Sequence, residues 1–284
     1  MKPLVKLFTG TLLLIILGLA GKAQYYYKDL IVTRQTTAQW KLYKAGKVRT
    51  IKLSSFERDG SPSEGFQCDQ EITANGSLIT THTRSVGTPE SSIFANYSPA
   101  GLPTKIEDTS DTYRSVSEYQ YDASDYLTSI TNTSLETDNH VQEVEQHLWQ
   151  YDPNTPGRPI SMLKIRNAND TTFVRFVTDE KGHIAEEHAT RNGVELPAIY
   201  YYYDDASRLT DIVRYNAKAQ RLLPDYIFEY NATGELPASM LVVREGGSDY
   251  QKWIYQYNDK GLKIKEACFN KKKELLGKVE YEYK

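Results

Sequence analysis

Along this chain, aromatic and aliphatic residues recur at alternate positions in short bursts, and a polar turn signal follows each burst. "YQYDASDYLTSI" begins at Tyr119, "YYYDDASRLTDI" at Tyr201, "FEYNATGELPAS" at Phe228 and "YQYNDKGLKIKE" at Tyr255. "WQYDPNTPGRPI" at Trp149 has the same form with a longer turn, and the chain ends on "YEYK", half of another copy. The shared pattern is aromatic-x-Tyr-(Asp/Asn)-x-x-(Gly or polar)-x-Leu. Weaker copies align on the turn: "FVTDEKGHI" at Phe176, "NYSPAGLP" with Tyr97 and Gly101, "EITANGSL" with Ile72 and Gly76, and "WKLYKAGKV" with Trp40, Leu42, Gly46 and Val48. The second slot falls at 42, 72, 97, 121, 151, 178, 203, 230, 257 and 283, so the period is close to 27 residues.

Alternate aromatics suit one face of a pleated strand, because successive side chains point to opposite faces. The Asp-x-x-Gly and Asn-x-x-Gly signals suit hairpin turns, in which the first side chain bonds the backbone and glycine takes positive φ. No stretch shows a sustained helical period. The pattern therefore predicts an all-β protein: a long antiparallel meander of ~27-residue hairpin repeats, roughly 18 strands, forming a curled or spiral sheet. Divergent hairpin repeats over 24–94 run continuously into clearer ones over 95–284. The Tyr, Leu and Ile slots are expected to line an interior, with Gln120, Gln150, Glu229, Gln256 and Glu282 meeting water.

"YQYDASDYL", "YYYDDASRL" and "YQYNDKGLK" resemble the YD repeats of the RHS family, and the similarity runs through 95–283 and more thinly through 40–94. The resemblance implies hairpins paired side by side into a long curling sheet, which in large members wraps a toxin domain. The repeats here run to the last residue, so toxin delivery is not expected.

The first residues change the picture of location. Lys2 and Lys6, an apolar run through Leu12–Leu19, and Gly21-Lys22-Ala23 read as a cleavable signal peptide over 1–23, with small residues at −3 and −1. The apolar stretch is shorter than the ~20 residues of a spanning helix, so no membrane span is expected after cleavage. Export to the periplasm, cell surface or extracellular space follows. The full chain carries 34 basic and 37 acidic residues; losing Lys2, Lys6 and Lys22 leaves 31 against 37, a net charge of −6. That balance excludes nucleic acid as a natural partner. The two cysteines, Cys68 and Cys268, lie about seven repeats apart and are not expected to pair unless the ribbon closes on itself.

Candidate chemistry is sparse. In "HIAEEH", His183 and His188 stand five apart, which divides them between opposite strand faces; His140 and His147, seven apart, divide likewise. No metal site and no cofactor is expected. The adjacent pairs Glu186-Glu187 and Asp204-Asp205 diverge on a strand and read as turn chemistry and solubility. "GSPSEG" at Gly60 lacks the spacing and the strand-to-helix elbow of a nucleophilic serine. No catalytic residue is identified, and the chain reads as a non-catalytic, exported interaction, glycan-binding or structural module of the cell envelope. The alternatives are an enzyme with a loop-built site and an outer-membrane β-barrel. One position departs from its own repeat rule. Where sister repeats carry Gln or Glu, this one carries Tyr202, and Tyr200 shares its face. Tyr200 and Tyr202 are the predicted ligand-binding residues, for a carbohydrate or protein partner.

Overall fold

The computed structural model describes residues 24–136, 141–217, 219–232, 234–243 and 249–284; the signal peptide and His140 lie outside them. The strand pairings among the described residues are antiparallel, and most join consecutive strands. The decisive feature is closure. Strand Thr50–Glu57 pairs with the next strand, Gln67–Ile72, and also with the last, Leu275–Tyr283, with Ile51 opposite Tyr283. The backbone N–H groups of Thr50 and Lys284 donate to each other's carbonyls, each at 2.9 Å. The terminal half-repeat "YEYK" thus finds its second strand at the opposite end of the chain. The result is an 18-strand barrel, with the two-residue strand Val194–Glu195 as a side excursion. The all-β antiparallel meander is as predicted, and its sheet curls until the two ends meet. Among the described residues, closure gives each of the 18 barrel strands a partner on both sides.

The repeat rule has a physical basis in six hydrogen bonds. The hydroxyls of Tyr121, Tyr151, Tyr203, Tyr230, Tyr257 and Tyr283 donate to the carbonyls of Pro103, Leu127, Ile184, Leu209, Pro237 and Lys263. Each acceptor lies opposite the second slot of the preceding repeat, where the ladder shifts register, as at Tyr121–Leu127 and Tyr203–Leu209. A β-bulge twists the strand and disturbs local pairing, and the next repeat's phenol satisfies the carbonyl beside it. This is why the second slot favours Tyr, whereas the first accepts Trp149, Phe176 or Phe228. Tyr230→Phe is expected to cost about 1 kcal/mol by orphaning the Leu209 carbonyl. Tyr230→Ala, which also removes the ring, should cost about 3 kcal/mol. Urea midpoints of the two variants would check the difference.

The turns behave as read. Asp204 Oδ1 accepts the N–H groups of Ala206 and Arg208, and Asn258 Oδ1 those of Lys260 and Leu262. Gln120, Gln150, Glu229, Gln256 and Glu282 are exposed, while Trp149, Phe176, Tyr201 and Phe228 are buried.

The N-terminal expectation fails. Tyr26–Ile31 is a π-helical stretch that runs directly into an α-helix over Val32–Ala45, so Trp40–Gly46 is a helix end and not a hairpin. With Thr50–Glu57 closing the ring, the preceding segment has no strand edge to join. It enters the barrel, where a helix meets its backbone hydrogen-bonding needs internally. Val32, Thr33, Thr36 and Thr37 give it little intrinsic helix preference, so packing against the barrel supplies the stability. At the rim formed by the repeat turns, the Trp40 indole N–H donates to the Gly76 carbonyl at 2.7 Å. A Cβ on Gly101 would fall 2.3 Å from the same ring, so that turn needs glycine for space as well as for its positive φ.

Cys68 and Cys268 are free and buried. The closed ring brings their strands within three steps of each other, through Leu275–Tyr283 and Thr50–Glu57. Three steps at ~4.8 Å still exceed the ~7 Å Cα limit of a disulfide.

Candidate functional site

Two sets of side chains stand out, one outside the barrel and one inside. On the outer face, Tyr202 is 48% exposed and Tyr200 half-buried. Tyr202 lies opposite Asp211, and Tyr200 lies between Val213 and Glu186 on its two neighbours. Glu186 Oε2 is 2.6 Å from His188 Nε2. Strand alternation therefore puts two phenol rings beside Asp211, Glu186 and His188 on one outward surface. His183 is not part of it: it stacks on Tyr203 at 4.6 Å and contacts Asp179.

The interior set holds the N-terminal segment. Glu187, 1% exposed, accepts the backbone N–H groups of Gln24 at 2.8 Å, Tyr25 at 3.1 Å and Tyr26 at 3.0 Å, and the Tyr201 hydroxyl at 2.8 Å. The first N–H groups of a helix have no partner within it, and a carboxylate there also complements the helix dipole. Burial raises the Glu187 carboxyl pKa on balance, although these four donors pull it back. Lys28, close enough to interact with Glu187, and Arg214, 2.7 Å from Asp225, bring positive charge nearby. Glu186 and Glu187 diverge to opposite faces as expected, but the reading of the pair as solubility residues is corrected for Glu187, which is part of the core.

Deeper along the segment, Asp29 Oδ2 lies 2.7 Å from His147 Nδ1 and accepts the Trp149 indole N–H at 3.1 Å. His147 Nε2 is 3.0 Å from Glu145, which pairs with Lys164 at 2.6 Å. Burial alone would lower the imidazole pKa; the two carboxylates more than reverse this and raise it to about 9. Burial likewise raises Glu145, but the hydrogen bonds from His147 and Lys164 prevail and hold it at about 2. At neutral pH His147 is an imidazolium with both nitrogens donating to carboxylates. It has no free nitrogen to take a proton from a nucleophile, so the group holds charge and position. Aromatic rings surround it: Tyr25 meets His147 edge-on at 5.2 Å, Tyr26 meets Tyr201, Tyr27 meets Tyr226 and Phe228, and Trp149 stacks on Phe176.

Sequence reasoning passed over Asp29, Glu145, His147 and Glu187. His147 had a usable signal, since it shares the parity of Trp149 and Tyr151 and so must point inward. Its partner Asp29 is 118 positions away, on a helix that the pattern did not announce.

No family model and no curated protein matches the chain. Among solved structures it is similar to a porin-like protein from Bacteroides uniformis ATCC 8492, at 10% identity over 84% of this chain and 98% of that one, with a TM-score of 0.39. A porin-like protein from Bacteroides vulgatus ATCC 8482 aligns at 13% identity over the same shares, with a TM-score of 0.31. A protein of the DUF3598 family from Nostoc punctiforme PCC 73102 aligns at 9% identity over 87% of this chain and 98% of that one, with a TM-score of 0.17.

Proposed function

We propose that this protein is an exported β-barrel of the cell envelope that binds a carbohydrate or protein partner on its outer face. The observation that carries this reading is the filled interior. Gln24–Ile31 and the rings around it occupy the barrel, so recognition falls to the outer surface. There Tyr200 and Tyr202 supply flat amphipathic area, and Asp211, Glu186 and His188 supply hydrogen-bonding groups, a combination suited to a sugar ring. Tyr202→Gln, the residue its sister repeats favour, should change stability by no more than about 0.5 kcal/mol. It should weaken binding to a panel of neutral and amino-sugar oligosaccharides, measured by calorimetry alongside wild type. Equal binding by variant and wild type, or several kcal/mol of lost stability, would remove the patch.

A second reading, an outer-membrane barrel, is favoured by closure itself, which suits it better than a repeat module with free ends. Its requirement is an outward apolar band. The outward positions of this barrel include Arg175, Glu186, Asp211, Glu229 and Lys252, with Lys252 paired to Glu229 at 2.7 Å. Each charge facing lipid near the midplane would cost about 2–4 kcal/mol. Alkaline carbonate extraction of envelope fractions separates the two: release into the supernatant supports the water-facing barrel, and retention in the pellet supports the membrane barrel.

A further inference from the structure

Gln24 is 3% exposed, and both of its nitrogens end on carboxylates. The backbone nitrogen lies 2.8 Å from Glu187 Oε1, and the side-chain amide nitrogen 2.5 Å from Asp225 Oδ2. Those acids belong to strands Ile184–Arg191 and Arg221–Tyr230, so two separate parts of the barrel converge on one residue. In the sequence, the same residue directly follows the small-x-small cleavage signal Gly21-Lys22-Ala23.

We propose that hydrolysis of the Ala23–Gln24 peptide bond creates an α-ammonium group that Glu187 binds as an ion pair inside the barrel, so that processing during export completes the core. This rests on the export reading above. Water adds across the peptide bond, Ala23 leaves with the new carboxylate, and Gln24 keeps the nitrogen, which takes a proton at neutral pH. An ammonium offers Glu187 charge as well as donors, which a wholly buried carboxylate needs. A second observation agrees. Gln24 has φ of +75°, a left-handed conformation unfavourable for a residue with a side chain. That torsion is defined by the carbonyl carbon of Ala23, so cleavage abolishes it and its strain together. The site also explains how an N-terminal glutamine would persist. Cyclisation requires the free amine to attack the side-chain carbonyl and expel ammonia. Glu187 keeps the amine protonated, and Asp225 holds the amide nitrogen.

The test has three arms on the protein exported from the full chain. Intact mass and N-terminal sequencing should give Gln24 as first residue, without loss of ammonia. An amine acylating reagent at neutral pH should leave this α-amine unmodified in the folded protein and modify it in urea. Finally, the mature chain is compared with one extended by a single residue before Gln24, each with Glu187 or Glu187→Gln. The extension should lower the folding equilibrium constant by about tenfold or more with Glu187, and by much less with Glu187→Gln. A cyclised terminus, ready acylation in the folded state, or an extension effect equal in both backgrounds overturns the ion pair. Export with cleavage elsewhere overturns this inference and spares the export reading; retention in the cytoplasm of a competent host overturns both.

Discussion

Replacing Glu187 with alanine is expected to destabilise the protein by about 4 kcal/mol, the largest effect of any single polar substitution proposed here. The value of the side chain lies in what it accepts. Three backbone N–H groups and the Tyr201 hydroxyl would lose their partner within the barrel. An orphaned buried donor costs about 1–3 kcal/mol. Part of this is offset because a buried carboxyl no longer has to be desolvated. Glu187→Gln keeps one acceptor oxygen and should lose about half as much. Tyr201→Phe, which orphans a single lone pair, should lose about 1 kcal/mol. Urea unfolding followed by tryptophan fluorescence would rank the three, with Trp149 near the helical segment as the reporter. Equal midpoints for Glu187→Ala and wild type would mean that the helical segment does not dock as described.

The second large effect is a loss of stability at alkaline pH. His147 has a folded pKa of about 9 against an ordinary 6.5. A group whose folded pKa is raised stabilises the fold fully below its unfolded pKa, and that stability is lost as pH rises through the folded value. The groups facing the imidazolium are Asp29 from the helical segment and Glu145 from its own strand, with Lys164 beyond Glu145. Deprotonation withdraws the positive charge and the imidazole donor from one of the two carboxylates, leaving Asp29 with Trp149 alone or Glu145 with Lys164 alone. From about pH 6.5 to about 9 the loss should reach about 2–3 kcal/mol. His147→Gln should be less stable than wild type at pH 6 and should show a flat profile across that window. Chemical denaturation at half-unit intervals would check both. A wild-type profile equally flat over the window would show that His147 is neutral in the fold. Glu145, held at about 2, contributes in the opposite direction: its stability is present above its ordinary 4.5 and fades as pH falls toward 2.

The two residues that matter most here were legible to different degrees in the sequence. Tyr202 could be singled out because the repeat supplies its own reference: five clear sister repeats, with Gln120, Gln150, Glu229, Gln256 and Glu282, define what the position before the second slot should be. Glu187 could not: Glu266, nine places after its own second slot like Glu187, is also buried and accepts the Tyr281 hydroxyl, but the backbone groups that Glu187 accepts begin at Gln24, 163 positions earlier. The sequence by itself determined the strands, their turns, their antiparallel order and which face each alternate residue takes. These follow from the two-residue pleat and from Asp, Asn and Gly at turn positions, all of which act within about ten residues of chain. Tertiary structure alone decided that the ribbon closes and that residues 26–45 become helical, the first turns buried within it and the remainder reaching its rim. Closure depends on Ile51 meeting Tyr283, a match set by the accumulated twist and count of strands, which no local pattern records. Once the ring is shut, the buried start of the N-terminal segment has neither edge nor water to satisfy its backbone, so a helix becomes its stable state even with Val32, Thr33, Thr36 and Thr37 in it.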